Sequence, residues 1–376
     1  MKKILIVDNS QGITGAFKSI FHVATSLKDQ FEFHFATPKG NQQLAAEIKR
    51  SGFAHKQINF VEISKRWSVI LYPPALLFNS LRLFWYMKRH DIPVIHVNDL
   101  YNMTGAVIKL LYPSVKVIYH VRLRSNSYAG GLYSLWLKII ARLADKIIVV
   151  SECVRKEVLP FTGNKKVIRI YDFFELGGEC PPAHPDNHMV KFFYPANFTP
   201  GKGHTYAIES FRKAIFQNKS IRLTFAGDDF GMHRNKMYKM KLQTEAGDLV
   251  QGGYITFAGA VTDMEKAINE QDVVLNFSDS ESFSMTCYEA NHYGVPVIVT
   301  DCGGPTEFVE HEITGLIVPK QDVEAMSRAM LYLAESSDTR TAMGQQARDL
   351  IHKKIAEENA LLKYAATYEF LFDQLV

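Results

Sequence analysis

The chain has 376 residues, more than one hydrophobic core ordinarily supports, so two domains are expected. At 47% hydrophobic and 22% charged it is neither a disordered nor a fibrous composition. The net charge of +4 hides an asymmetry, because residues 1–170 hold 25 Lys and Arg against 10 Asp and Glu, a net of +15, while the remainder carries −11. Those basic residues are scattered over a strand–helix pattern, with no RNA- or DNA-binding motif, so nucleic acid is not expected as a partner. Anionic membrane is the other partner such charge suits.

Met1-Lys-Lys-Ile-Leu-Ile-Val-Asp8 has an apolar run too short for a signal-peptide core and reads as a first strand in a cytoplasmic protein. Further strands are predicted at Phe31–Ala36, Val94–Val97, Val115–His120 and Lys146–Val150, with amphipathic helices between them. That alternation predicts a Rossmann-like domain over 1–174, a parallel sheet with helices on both faces. The first turn carries Gly12 and Gly15, which is short of a dinucleotide fingerprint. Asn98 and Asp99, then Arg122 and Arg124, follow two of the strands and are candidates to meet an acceptor, the arginines an anionic one.

Ser64 to His90 is the most apolar segment, rich in aromatic residues and bracketed by basic pairs. Pro73-Pro74 interrupt it and Arg82 lies inside, leaving less than the roughly 20 apolar residues a spanning helix needs. It reads either as a core helix after a proline turn or as a membrane-surface segment.

Glycine and proline over 175–189 predict a linker. The alternation then restarts over 190–356, with strands at Lys191–Tyr194, Ile221–Ala226, Ile255–Ala258, Val273–Phe277 and Val295–Thr300, and the chain closes in helical runs. The four cysteines, Cys153, Cys180, Cys287 and Cys302, show no zinc spacing, and a reducing compartment is expected.

The chemistry is expected in this second half. Ser284 precedes a helical stretch from Met285 to Tyr293 that Gly294 and Pro296 end, and it stands as an N-cap. The amides there, at about Met285 to Cys287, suit a phosphate. Glu289, in that helix, is placed to accept hydrogen bonds from a diol such as a ribose, and Glu281, before it, lies nearer a sugar. Glycines follow three more strands: Gly227, Gly259, and Gly303-Gly304, the last before a helix that Pro305 would begin. Asp279-Ser-Glu281 is a weak match to an acidic metal motif, and no metal or other cofactor is expected.

The order Lys202-Gly203, Gly227-Asp228, Gly259, Glu281-x7-Glu289-Ala290, Gly294-x-Pro296, Gly303-Gly304-x-x-Glu307 and Gly315-Leu316 resembles the retaining GT-B glycosyltransferases of family 4. The resemblance is specific across about 190–320 and weaker before it. It implies two Rossmann-like domains facing across a cleft, with the terminal segment 357–376 crossing back to the first. It implies transfer of a sugar from a nucleotide-diphosphate donor to a glycan or lipid-linked acceptor, with retained configuration. Glu289 would hold the nucleotide ribose, Glu281 the sugar hydroxyls and Lys202 the diphosphate. Backbone amides over Phe283, Ser284, Met285 and Thr286 would hold the sugar or phosphate. Gly15 would face the diphosphate, and His120 would stand near the reacting sugar.

The pattern departs at Asn197, where the family carries an arginine that shares the diphosphate with the lysine. A cation from elsewhere, such as Arg122 or Arg124, or a slower enzyme would follow. A nucleotide-sugar epimerase of the same fold and a non-catalytic binding partner are the alternative readings.

Overall fold

The computed structural model describes residues 1–10, 12–60, 66–127, 131–173, 177 and 189–375, and only the backbone of Arg66 to Val69. The chain divides into two compact units, Met1–Glu175 with Glu358–Val376, and Leu176–Glu357. The expected linker over 175–189 falls almost wholly outside the described residues, as do Ser64, Lys65, Gln11 and Cys180.

In unit 1 the strands are β1 (Lys2–Val7), β2 (Phe31–Pro38), β3 (Ala54–Ile58), β4 (Val94–Val97), β5 (Lys116–Val121), β6 (Lys146–Val149) and β7 (Val167–Arg169). They pair in parallel in the order β3-β2-β1-β4-β5-β6-β7. Crossovers are α1 (Gly15–Ser26), α2 (Gln42–Arg50), α3 (Arg66–His90), α4 (Thr104–Leu111), α5 (Leu132–Leu143) and α6 (Glu152–Thr162). Starts follow ordinary capping: Thr14 Oγ1 accepts from Phe17 N–H at 3.2 Å, and Ser151 Oγ from Val154 N–H at 3.3 Å.

Strand alternation sends Ile4, Ile6, Phe33, Phe35, Val94 and Ile118 into one core, which α1 and α2 cover with Phe17, Ile20, Leu44 and Ile48. On the opposite face α4 lies close enough that a Cβ on Gly105 would stand 2.6 Å from Val97 Cγ2.

Unit 2 repeats the plan with β8 (Val190–Pro195), β9 (Ile221–Ala226), β10 (Ile255–Gly259), β11 (Val273–Asn276), β12 (Val297–Thr300) and β13 (Gly315–Val318), all parallel, in the order β10-β9-β8-β11-β12-β13. Its helices are α7 (His204–Gln217), α8 (His233–Glu245), α9 (Gly247–Gln251), α10 (Met264–Asn269), α11 (Met285–His292), α12 (Val323–Glu335) and α13 (Ser337–Glu358). Phe192, Tyr194, Phe225 and Leu275 point to one core with α7 and α12, while Phe193, Val274, Val297 and Val299 point to another with α10 and α11. Both faces of the sheet are therefore covered, which a parallel sheet requires.

The final helical run is two helices, not one. Asn359 takes a left-handed conformation with φ of 41°, ends α13 and starts α14 (Ala360–Asp373), whose Tyr364, Tyr368 and Leu371 are buried in the core of unit 1. Helix α3 also differs from expectation, running through Pro73 and Pro74 without stopping. Both prolines are on its exposed side, and the packing of the buried side outweighs the two missing amide donors.

Candidate functional site: the carboxyl edge of the unit 2 sheet

The loops after β8, β9, β10, β11 and β12 gather at one edge of the sheet, held by a chain of buried polar contacts. Lys202 lies between Gly201 and Gly203, both at positive φ, 90° and 75°. At Gly203 a Cβ would lie 2.0 Å from the carbonyl oxygen of Phe277, so only glycine lets the β8 and β11 loops approach this closely. The buried Tyr194 hydroxyl donates to the Lys202 carbonyl at 2.6 Å and accepts from Phe277 N–H at 2.9 Å. Asp279 N–H donates to the Gly201 carbonyl at 2.9 Å. The backbone that carries Lys202 is thus clamped to the end of β11.

Glu281 is held in the same way from the other side. Its N–H donates to the Cys302 carbonyl at 3.0 Å, and its carbonyl accepts from Gly304 N–H at 3.0 Å. Its carboxylate accepts from Lys202 Nζ at 2.7 Å and from Ser278 Oγ at 3.0 Å. Burial works against the Lys202 charge, but the Glu281 carboxylate outweighs it and raises the lysine pKa, so the ammonium persists at neutral pH. The Lys202 side chain remains 34% exposed and Glu281 15%, so the pair is open to a ligand.

Helix α11 begins beside this pair. Ser284 is its N-cap, with φ of 76°, but makes no side-chain capping bond. Its hydroxyl instead accepts from Asn276 Nδ2 at 3.0 Å. The first-turn amides, from Met285 to Cys287, have no intrahelical acceptor by geometry, which is the usual anion-binding character of a helix start. Phe283 is buried with its ring 4.9 Å from that of Phe308 and 5.5 Å from Tyr288, so any part it has in binding is through its backbone. Thr286 and Glu289 are half-buried on the helix.

The remaining glycines close the frame. A Cβ on Gly304 would stand 2.4 Å from the Ser282 carbonyl oxygen, and one on Gly227 would stand 2.1 Å from that of Ala196. Gly227 N–H donates to the Gly259 carbonyl at 2.7 Å, and Gly259 has φ of 75°. Gly303, with φ of 119°, precedes a single 3-10 turn (Gly304–Glu307), which begins one residue before the helix start expected at Pro305.

Asn197 is exposed, and its Oδ1 accepts from Asp228 N–H at 3.0 Å, tying the β8 and β9 loops together without charge. Asp279 Oδ1 accepts from Gln321 Nε2 at 3.1 Å while Glu281 faces Lys202, so these two carboxylates serve separate partners. Among the described residues no group of three or more His, Cys, Asp or Glu converges as a metal site. Cys287 and Cys302 are buried, and burial pushes both thiols up to about 12.

Sequence reasoning overlooked Tyr194, Asn276, Ser278 and Thr300, which position the site from beneath; Thr300 Oγ1 donates to the Ser278 carbonyl at 2.7 Å. The available signal was a polar residue ending an otherwise apolar strand, as Asn276 and Thr300 do.

The candidates in unit 1 are placed differently. Gly15 is the first residue of α1, half-buried. His120 is fully buried, its ring 5.5 Å from that of His96 and 6.1 Å from Tyr364, and burial lowers its pKa well below the ordinary value. Its strand position faces Tyr364 of α14. Arg122 is also interior, 5% exposed, ion-paired with Asp172 and donating through Nε to Asn98 Oδ1 at 2.9 Å. Asn98 in turn donates to Asp8. In this network Asn98 and Arg122, both expected to meet an acceptor, are partnered within unit 1. Arg124, the other candidate for the missing cation, donates through Nε to Glu157 Oε1 at 2.8 Å. Asp99 is half-buried and accepts from Leu100 N–H at 2.6 Å.

Comparison with known proteins agrees with this architecture. Residues 184–350 match the family described as glycosyl transferases group 1, and residues 13–176 match glycosyltransferase family 4. N-acetyl-alpha-D-glucosaminyl L-malate synthase of Bacillus anthracis is 20% identical over 335 residues, covering 84% of each chain. Poly(ribitol-phosphate) alpha-N-acetylglucosaminyltransferase of Staphylococcus aureus is 22% identical over 66% of this chain, and the match spans about half, 49%, of that relative. Among solved structures, Anabaena HepE in complex with UDP-glucose superposes with a TM-score of 0.81 at 15% identity, covering 98% of this chain and 100% of that one. Two parallel Rossmann-like sheets, the loop framework at the edge of the second, and a family match to each half together make this chain a GT-B glycosyltransferase of the group 1, family 4 type.

Proposed function

We propose that the enzyme moves a sugar from a nucleotide-diphosphate donor to a glycan or lipid-linked acceptor, with retained anomeric configuration, in the synthesis of a cell-surface polysaccharide or glycolipid at the inner face of a membrane. The observation that carries this reading is the partly exposed Lys202–Glu281 pair, 2.7 Å apart, beside the start of α11. Breaking a glycosyl–phosphate bond builds negative charge on the leaving diphosphate. A fixed ammonium and a row of helix-start amides stabilise that charge most in the transition state, which is where binding accelerates reaction. Lys202 keeps hydrogens beyond the one given to Glu281, so it can hold the carboxylate and a phosphate oxygen together.

In this scheme Glu281 accepts hydrogen bonds from the transferred sugar, and its backbone clamp fixes where they point. Glu289 accepts from the nucleotide ribose. The activated donor needs no strong general acid, and the leaving phosphate takes the acceptor hydroxyl's proton from the same face. Two relatives are named for alpha-N-acetylglucosaminyl products, the retained configuration where the donor is an alpha-linked nucleotide sugar. Separate partners for Asp279 and Glu281 favour chemistry without a metal.

The test is a panel of nucleotide sugars with and without oligosaccharide or polyprenyl-linked acceptors, read by mass spectrometry, with the anomer assigned by NMR and EDTA present in one arm. Acceptor-dependent transfer with a product of the same anomeric configuration as the donor, unchanged by EDTA, is expected. Conversion of the nucleotide sugar without acceptor would point to an epimerase and overturn the proposal.

A further inference from the structure

Helix α3 is apolar on two sides, and only one of them is packed. Asn79, Ser80, Leu83 and Met87 are buried. On the other side Ile70, Leu71, Leu77, Phe78, Leu81 and Trp85 are exposed, Trp85 by 67%. At 100° per residue these six positions form one continuous stripe. The end of α4 adjoins the Trp85 end of α3, where Phe84 and Tyr112 are 6.1 Å apart and Lys88 Nζ lies 3.8 Å from the Tyr112 ring centre. Leu110 and Leu111 on that end of α4 are exposed as well.

Charge identifies the occupant. Residues 63–144 contain 11 Lys and Arg against only 2 Asp and Glu, and α3 itself contains no acidic residue. Lys88 and Arg89 are exposed where the stripe ends. An apolar stripe with an aromatic residue, on a helix that carries basic and no acidic side chains and with the exposed Asp91 just past its end, matches a helix lying in the interface of an anionic bilayer. Among the described residues no helix is long and apolar enough to cross a membrane, so the contact is a surface one.

We propose that the bare face of α3 is a docking surface for anionic lipid bilayers, with the helix lying along the membrane plane. This rests on the surface of unit 1 and stands apart from the donor chemistry of unit 2.

The test is flotation of the full chain with phosphatidylcholine vesicles, with and without phosphatidylglycerol. The wild type floats with the anionic vesicles, and less so as salt is raised. Leu77→Asp/Phe78→Asp lowers the partition coefficient by about tenfold or more, and Lys88→Glu/Arg89→Glu lowers it by about tenfold. Both double variants keep the wild-type circular dichroism and the wild-type donor affinity. Trp85 fluorescence shifts to the blue with anionic vesicles, and brominated lipid quenches it. A wild type that stays at the bottom with anionic vesicles overturns the proposal, as does unchanged flotation of the Asp variant. So does a dimer, seen by sedimentation, that the Asp variant dissociates without any vesicle binding.

Discussion

In the proposed function the Lys202–Glu281 pair is a ground-state arrangement that awaits the charge of the leaving diphosphate. If the ammonium acts mainly on the leaving diphosphate, Lys202→Met lowers kcat by about 10²–10³-fold, the range for removing one oxyanion donor. Because Glu281 raises the pKa of Lys202 above its ordinary value, the wild-type rate shows no alkaline limb from this group below about pH 10. A pH–rate profile with stopped assays checks both, and an alkaline limb near pH 8 that disappears in Lys202→Met would contradict the assignment. Lys202 was singled out by the family resemblance and Glu281 by its place before α11, and the structure brings the two side chains to 2.7 Å. The burial of His120 and Arg122 was not legible. Both lie at the end of β5, but their burial depends on register and on distant partners, Tyr364 of α14 for His120 and Asp172 for Arg122, so it has no local signal.

Elements carry the site through close backbone approach. The β12 loop presses on the β11 loop at Gly304, and there is no room for a methyl group between them. Gly304→Ala is expected to cost about 2 kcal/mol or more, as for other strained backbone sites. It also weakens donor binding, because Glu281 is hydrogen-bonded to Gly304. Thermal unfolding with and without donor measures both effects, and wild-type values for each would refute the role given to this contact. Glycine-marked turns made these loops readable, and the long apolar strands between them were read to within two residues. The strands β3, β7 and β13 were not read as strands. Ala54-His-Lys-Gln-Ile58 holds a single strongly apolar residue, and Val167–Arg169 is three residues long, so neither shows a period. They exist because an already paired neighbour supplies the hydrogen bonds. Helix α3 erred the other way, since two prolines normally stop a helix and only tertiary packing lets it continue.

Across the whole molecule, buried histidines set the acid limit. Burial lowers His96 in unit 1 to about 3 and His204 in unit 2 to about 4. Each therefore binds its proton only on unfolding, with stability complete above about pH 6.5 and lost as pH falls toward the folded values. At pH 5 each costs about 2 kcal/mol relative to pH 7. Calorimetry should show the melting temperature falling between pH 6.5 and pH 4, and a flat profile there would show these rings to be accessible to protons in the fold. The division into two α/β units was readable from the restart of strand–helix alternation near residue 190, whereas the return of α14 to unit 1 leaves no periodic trace in the sequence itself. The central claim, a nucleotide-sugar site framed by Lys202, Glu281 and Glu289, is tested most directly by thermal stabilisation against a panel of nucleotide-diphosphate sugars. At least one should stabilise the wild type, by about 2.7 kcal/mol at a hundredfold excess over its Kd, and Lys202→Met and Glu289→Gln should each weaken that effect. A panel with no stabilising member, or a shift that both variants keep in full, would contradict it.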